Sequence, residues 1–161
     1  MSTATWVKSE LEQCGVAFEE VHHPEAYTAQ GLAQREHFSG HRVAKVVVAM
    51  VDGRPVELIL PASRRVRLDR VQRLLGAKEV RLATEQEMEQ HFGDCETGAI
   101  PPLRHWQNVE VLMDTGMQVP GDILFPAGTH RDAVCMRFED WFRLVNPPVA
   151  SFSEAEAAPL H

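Results

Sequence analysis

A β-hairpin pattern constrains the fold of this chain more than any other feature. Two apolar runs, residues 43–51 and 56–60, flank a short segment that begins with Asp52-Gly53. An Asp-Gly pair readily adopts the positive φ angles that a two-residue hairpin turn requires. The sequence therefore predicts two antiparallel strands joined by a tight turn. Lys45 is the one charged residue of the first run.

Helix and strand patterns surround this hairpin. Residues 5–14 place apolar side chains at helical spacing and end at Gly15, a residue typical of the position just after a helix. Residues 84–87, Thr-Glu-Gln-Glu, form a capping box that predicts the start of another helix. The mixed order of elements predicts an α+β fold. The same criteria predict helices over 28–34, 68–75 and 139–145, and strands over 16–21, 109–113, 122–125 and 133–138.

The length of the chain is sufficient for one domain with a core of its own. A chain of 161 residues buries roughly two thirds of its unfolded surface, so it needs no disulfide to stabilise it. The tandem prolines of Asn146-Pro147-Pro148 are typical of the end of a regular element. We therefore expect residues 1–148 to form the domain and residues 149–161 to form a flexible tail.

The cysteines and the hydropathy pattern predict where the protein works. Cys14, Cys95 and Cys135 are odd in number and far apart in sequence, which favours a reducing compartment over a disulfide framework. Residues 2–10 lack the apolar segment of a secretory signal, and no run of about 18 apolar residues occurs. These features predict a cytoplasmic protein without a membrane partner.

The charge distribution limits the possible nucleic-acid partners. A net charge of −7 argues against DNA binding or a general nucleic-acid coat, because such binding depends on many contacts between basic side chains and phosphates. Residues 64–81 differ from the rest, with seven basic residues against Asp69 and Glu79. This segment is either a cationic binding surface or an ordinary solvated helix face, and both interpretations stay open.

A glycine-centred loop over residues 94–102 is the strongest sign of chemistry. Gly98 permits close approach of a ligand to the backbone, and Pro101 and Pro102 fix the φ angles that follow. Together with the positive charge of Lys45, aligned backbone N–H groups would form an anion or oxyanion site. Considered separately, the loop could be a simple turn, and Lys45 could pack its stem on a sheet with its amine in water.

Several segments in register resemble the YbaK/EbsC family of aminoacyl-tRNA deacylases, which is related to the editing domain inserted in bacterial prolyl-tRNA synthetases. The resemblance implies a mixed, curved or barrel-like β-sheet surrounded by helices. It covers nearly the whole chain and rests on Ala44-Lys45, the Gly98 loop and four further segments, residues 23–30, 60–63, 75–83 and 126–131.

The resemblance also assigns roles to individual residues. Lys45 corresponds to the chief active-site residue of the family, Gly98 and Ala99 to its substrate-carbonyl loop, and His130 to a histidine that lines the pocket. Two departures bear on specificity: Val46 stands where many relatives have a hydroxyl or amide residue, and Leu103-Arg104 stands where relatives often have Phe-Gly. Further substrate-binding positions implied by the resemblance are Tyr27, Val46, Ser63, Ile100, Pro101 and Gly128.

The function that the resemblance implies is trans-editing, in which a free-standing enzyme hydrolyses the ester of a mischarged tRNA. The amino acid would be small, such as alanine or cysteine, on a proline tRNA, and prolyl-tRNA synthetase is a further candidate partner. No cofactor and no metal are expected. The alternative is a non-catalytic module of the same fold that binds tRNA or a synthetase. The residues expected to contact tRNA are Arg64, Arg65, Arg67, Arg70 and Arg73.

Overall fold

Five α-helices and ten β-strands make up the part of the chain that the computed structural model describes, residues 5–156. The helices are α1 (Thr5–Gln13), α2 (Ala29–Arg35), α3 (Leu68–Leu75), α4 (Glu85–Phe92) and α5 (Phe138–Val145). The strands are β1 (Phe18–His22), β2 (Ala44–Val51), β3 (Arg54–Pro61), β4 (Arg64–Val66), β5 (Val80–Leu82), β6 (Glu110–Asp114), β7 (Asp122–Pro126), β8 (Asp132–Arg137), β9 (Val149–Ala150) and β10 (Ser153–Ala155). Short 3₁₀ helices occupy Gly40–Arg42 and Thr115–Met117.

The predicted hairpin is confirmed as β2 and β3, the centre of the largest sheet. Asp52 and Gly53 have φ angles of 48° and 82°, the two positive values that this type of turn requires. Lys45 lies opposite Leu60 in the antiparallel register. The sheet has the order β5-β2-β3-β6-β9, and β3 pairs in parallel with β6, so the sheet is mixed.

Local capping signals position the helices as predicted. The Thr28 hydroxyl accepts a hydrogen bond from the backbone N–H of Gly31 at the start of α2. Thr84 and Glu87 form both hydrogen bonds of the capping box of α4. Gly76, which follows α3, has a φ of 60° and ends that helix in the left-handed conformation. These signals depend only on neighbouring residues, which is why the sequence predicts them well.

The remaining strands form two smaller sheets, with the orders β1-β8-β7 and β10-β4. A parallel bridge between Val43 and Leu124 connects the hairpin to β7. The predicted α+β class and mixed sheet are confirmed. The strands of residues 5–156 divide into three sheets rather than closing into one barrel.

The two faces of the hairpin pack against different parts of the core. Val46 and Val48 lie with Phe92 and Ile100 on one face. Val47 lies on the other face with an apolar cluster that includes Leu58, Leu60 and Phe152. Successive side chains of a strand point to opposite faces, so Lys45 shares the face of Val47 and its opposite residue Leu60.

The domain boundary predicted at residue 148 differs from the structure. Val149 pairs with Met113 in β9, and β10 pairs with β4. Phe152 is fully buried, and the carboxylate of Asp114 accepts hydrogen bonds from the backbone N–H groups of Phe152 and Ser153 at 2.9 and 3.1 Å. The prolines end α5 without ending the domain, because the apolar side chain that follows belongs to the core. Residues 157–161 of the predicted tail, and residues 1–4, lie outside the described part of the chain.

None of the helices between residues 5 and 156 has the length and apolar character needed to cross a membrane. Cys14, Cys95 and Cys135 are free thiols.

Candidate active site

The loop that follows α4 requires glycine at position 98. Gly98 has a φ of 85°, and a Cβ built on it would lie 2.8 Å from the backbone oxygen of Tyr27. Any side chain there would suffer both backbone strain and a collision with main-chain atoms. The loop therefore approaches the chain at Tyr27 more closely than any other residue type permits.

Hydrogen bonding within the loop leaves several donors for a ligand. The N–H of Ala99 donates to the carbonyl of Glu96 at 3.0 Å and closes a turn. By contrast, the N–H groups of Thr97, Gly98 and Ile100 have no hydrogen-bond acceptor among residues 5–156. The predicted donor role therefore fits the N–H of Gly98, whereas Ala99 contributes a buried methyl group.

A reciprocal pair of hydrogen bonds fixes the loop to the segment between β7 and β8. The N–H of Glu96 donates to the carbonyl of Gly128, and the N–H of Gly128 donates to the carbonyl of Ala99, both at 2.8 Å. Gly128 has a φ of 94° and is buried. Two segments that are distant in sequence therefore form one rigid unit.

His130 is held against this unit by three contacts. Its backbone N–H donates to one carboxylate oxygen of Glu96 at 3.1 Å, and its ring Nδ1 lies 3.4 Å from the second oxygen of the same carboxylate. Its Nε2 bonds the carbonyl oxygen of Thr97. A carbonyl can only accept, so Nε2 must carry a hydrogen. His130 is therefore placed to position the loop, and its Nε2 is not free to act as a base.

Tyr27 forms the exposed rim of the site. Its ring meets the imidazole of His130 edge-on, with 4.7 Å between ring centroids, and the residue is 62% exposed. Its hydroxyl donates to Glu25 at 2.5 Å, and Arg131 donates to the same carboxylate at 3.1 Å. The hydrogen bond to the carboxylate raises the pKa of the Tyr27 hydroxyl. The phenol is therefore an uncharged donor near neutral pH.

A cavity of about 510 Å³ lies between the loop and α4. Thr97, Ile100 and His130 line one side of it, and Met88 and Phe92 line the α4 side. Further lining residues are Glu85, Glu89, Gly93, Cys95 and Glu96. Its volume is in the range of small-molecule sites.

Cys95 does not behave as a nucleophile in this cavity. Burial raises the pKa of its thiol to about 12, and the negative charge of Asp94 acts in the same direction. The reactive form of cysteine is the thiolate. The thiol therefore stays protonated and unreactive at neutral pH.

Lys45 lies on a different side of β2 from this cavity. The strand register places it on the face of Leu60, whereas its neighbour Val46 packs with Ile100 below the loop. Burial lowers the pKa of the Lys45 ammonium, and the negative charge of Glu156 raises it. Lys45 does not line the cavity beside the Gly98 loop. The pairing of Lys45 with the Gly98 loop stays a prediction.

Ser63 lies on the Lys45 side of the molecule. Its hydroxyl pairs with His41 Nδ1 at 2.7 Å, and it lines a second cavity with Gln30 and Ala62. The predicted site residues consequently fall into two groups. The loop group comprises Gly98, Ala99, Ile100, Pro101, Gly128, His130 and Tyr27. The second group comprises Lys45 and Ser63. Val46 lies between the two groups in the core.

Comparison with known proteins settles the family. The family model of the aminoacyl-tRNA editing domain matches residues 23–144. The chain belongs to this family. The matched range contains every site residue that the sequence analysis named, and it includes both the Gly98 loop and the hairpin of Lys45.

The curated relatives of this editing-domain chain are proline–tRNA ligases. One from Aquifex aeolicus (strain VF5) is 25% identical over 131 residues, which cover 80% of this chain and 21% of the ligase. One from Bacillus subtilis (strain 168) is 32% identical over 102 residues, which cover 63% of this chain and 18% of the ligase. The chain thus spans about a fifth of the length of these relatives.

Solved structures show the same fold. A candidate trans-editing enzyme for prolyl tRNA synthetase has a TM-score of 0.83 at 23% identity, with 94% of this chain and 97% of that chain covered. A hypothetical protein matches with a TM-score of 0.83 at 18% identity, covering 92% and 99% of the two chains. At these identities the likeness establishes the fold alone.

The departure from the family at Leu103-Arg104 does not affect the cavity wall. Leu103 is fully buried in the main core. The guanidinium of Arg104 donates to the carbonyls of Val145 and Asn146, at 2.6 and 3.1 Å, at the end of α5. Neither residue lines the cavity beside the Gly98 loop.

The arginines of residues 64–73 make contacts within the fold. Arg65 and Arg67 bond the carboxylate of Glu154 at 2.6 and 2.8 Å. Arg73 pairs with Asp69 at 3.3 Å. The others contact β10: Arg64 bonds the Ser153 hydroxyl at 2.6 Å, and Arg70 bonds the Ser153 carbonyl at 2.8 Å. Contact of these arginines with tRNA stays a prediction.

Sequence analysis did not single out Glu96, Gln30 or Glu156. Glu96 lies inside the Gly98 loop and Gln30 inside the segment that follows Tyr27, so both were within matched stretches. Glu156 fell in the predicted tail and carried no signal. Among residues 5–156, no group of three or more metal-ligating side chains comes together.

Proposed function

We propose that this chain is a free-standing aminoacyl-tRNA deacylase. Its substrate would be a proline tRNA mischarged with a small amino acid such as alanine or cysteine. The observation that carries the proposal is the Gly98 loop, whose unpartnered N–H groups lie beside a cavity in a chain of the editing-domain family. The curated relatives are proline–tRNA ligases, and this similarity supports the choice of tRNA.

The Gly98 loop supplies the electrostatic part of the proposed reaction. Attack of water on the aminoacyl ester places negative charge on the carbonyl oxygen, and backbone donors that are already aligned stabilise that charge. The loop is rigid because of its bonds to Gly128 and its contact at Tyr27, so little reorganisation accompanies the reaction. Each donor of this kind contributes about 2.7–4 kcal/mol to lowering the barrier.

The role we propose for Lys45 is to bind the nucleotide part of the substrate. Its side chain lies on the other side of β2 from the loop cavity, where a phosphate of the tRNA 3′ end is a better match than the ester carbonyl. An ammonium group binds phosphate as a point charge. The substrate would then extend from Lys45 to the Gly98 loop around β2.

The proposed preference for a small amino acid follows from the size of the site. A synthetase discriminates against an amino acid that lacks one methylene by only about 1–3 kcal/mol of binding free energy. A second site that admits the smaller aminoacyl group and hydrolyses its ester therefore improves fidelity. The buried side chains of Ala99 and Ile100 would limit the size of the aminoacyl group at the loop. Val46, whose side chain cannot donate a hydrogen bond, favours an apolar group such as that of alanine.

The decisive experiment is deacylation of alanyl-tRNA for proline by the purified protein and two glycine variants. Gly98→Ala adds a methyl group 2.8 Å from the Tyr27 oxygen, whereas Gly53→Ala adds one with no atom within 4 Å at a similar φ of 82°. Both variants carry the backbone strain, and only Gly98→Ala displaces the donors. We expect Gly98→Ala to lose about 100-fold or more of the rate and Gly53→Ala to keep it.

Lys45→Ala provides the second arm of this experiment and should weaken substrate binding while the fold is retained. Equal rates for Gly98→Ala and Gly53→Ala would contradict the role of the loop. Binding of the tRNA by the wild-type protein without any hydrolysis would instead support the alternative, a non-catalytic binding module.

A further inference from the structure

Lys45 has an unusual electrostatic environment for a residue of a half-buried strand. Its side chain is partly buried, and no carboxylate among residues 5–156 forms a salt bridge with it. Glu156 is the described carboxylate whose charge acts on Lys45. The two residues lie at the same end of the hairpin, because Lys45 is opposite Leu60 and the Glu156 backbone bonds Ser63, and they form no direct ion pair.

The position of Glu156 is fixed by neighbouring groups. The side-chain amide of Gln30 donates both to the Glu156 carboxylate and, at 3.3 Å, to the carbonyl of Ala62. The backbone N–H of Glu156 donates to the carbonyl of Ser63 at 3.3 Å. Ala62 lies two residues beyond Leu60, the residue opposite Lys45. These bonds hold the carboxylate at the end of the hairpin where Lys45 lies.

The strand that precedes Glu156 is anchored strongly. The segment begins at Phe152, which is fully buried, and β10 pairs with β4 over three residues. Glu154 accepts bonds from Arg65 and Arg67. The arginine-rich segment therefore fixes β10, and with it the backbone of Glu156.

We propose that Glu156 is the internal counter-charge of Lys45 and that an anionic group of the substrate displaces it. An ammonium group that is partly removed from water is stabilised by a nearby negative charge. A bound phosphate would provide the same stabilisation and would be repelled by the carboxylate. Glu156 is thus a positioning residue for Lys45, and the displacement step rests on the proposed function.

The first test measures the pKa of Lys45 directly, from the side-chain NMR shifts of lysine in the full chain as pH is raised. Glu156→Gln removes the counter-charge without changing the size of the side chain. Glu139→Gln on α5 removes the same charge from an exposed and distant position. His41, bonded to Ser63, is a further titratable group at this end of the hairpin and is monitored in the same spectra.

We expect Glu156→Gln to lower the pKa of Lys45 and Glu139→Gln to leave it unchanged. An unchanged pKa in Glu156→Gln would overturn the counter-charge assignment. This result does not depend on deacylase activity, so it separates failure of the inference from failure of the proposed function.

The second test measures binding of adenosine 5′-monophosphate by calorimetry at a pH where Lys45 is protonated in every variant. Loss of the competing carboxylate should tighten binding about two- to fivefold in Glu156→Gln, the range of exposed charge pairs. Glu139→Gln should bind like the wild type. Equal or weaker binding by Glu156→Gln would overturn the displacement step.

Discussion

Glu57 carries a carboxyl group into the apolar interior, and we predict that replacing it changes how stability depends on pH. The residue lies on β3 opposite Val48 and is 1% exposed. One of its carboxyl oxygens has no hydrogen-bond partner among residues 5–156. Burial raises its pKa well above the ordinary value of 4.5, and the charge of Arg104 only partly opposes this effect.

The sign of the effect follows from the protons that each state binds. Above pH 4.5 the unfolded chain loses the Glu57 proton, whereas the folded chain keeps it. The contribution of the neutral buried acid is therefore complete below pH 4.5 and is lost as pH rises through the folded pKa. Within this window each pH unit reduces the free energy of unfolding by about 1.4 kcal/mol.

The assay is urea unfolding from pH 4.5 to pH 8 on the wild type, Glu57→Gln and Glu110→Gln. Glutamine has a similar shape and does not titrate, so Glu57→Gln should lack the decline and gain stability relative to the wild type as pH rises. Glu110 is exposed on the adjacent strand β6 and serves as the control. Parallel curves for the wild type and Glu57→Gln would refute the assignment of a buried neutral carboxyl.

Two further predictions concern β10 and the arginine segment. Phe152→Ala should reduce the free energy of unfolding by about 3–5 kcal/mol, and Val149→Ala, at a partly exposed position, should reduce it by much less. If urea unfolding gives equally small effects for both variants, residue 152 is not part of the core. If the arginine segment also contacts tRNA, Arg73→Gln should reduce the log–log salt dependence of tRNA binding by about 0.7–0.9 without loss of stability, because its side chain is 75% exposed. An unchanged salt dependence would limit that arginine to its contact with Asp69.

Local signals explain which parts of the fold the sequence could predict. The turn at Asp52-Gly53 and the capping box at Thr84 depend on residues within a few positions of each other, and both are confirmed. Strands β4 and β10 have three residues each, too short for a periodic pattern, and their pairing joins Val66 to Ser153. The pairing partner of β4 is β10, which lies within residues 149–161, the segment predicted to be a flexible tail.

The residues of the candidate site were named from the sequence, but their contacts were not. Glycine is required at position 98 by a contact with the backbone of Tyr27, whereas the sequence analysis had assigned it to the close approach of a ligand. The placement of Lys45 on the face of β2 opposite to Val46 follows from strand parity, because successive side chains of a strand point to opposite faces. A single sequence contains that parity, but it does not show which face of the hairpin the loop covers.

The rigid connection between the Gly98 loop and Gly128 has a consequence for the redesign of specificity. A Cβ at Gly98 would collide with the Tyr27 backbone, and Gly128 has a φ of 94° that side-chain-bearing residues rarely adopt, so the loop side of the cavity offers little freedom. The opposite wall is different, since Met88 and Glu89 of α4 line the cavity and Glu89 is exposed to solvent. Libraries that aim to admit larger acyl groups should therefore vary the helix and leave the loop intact.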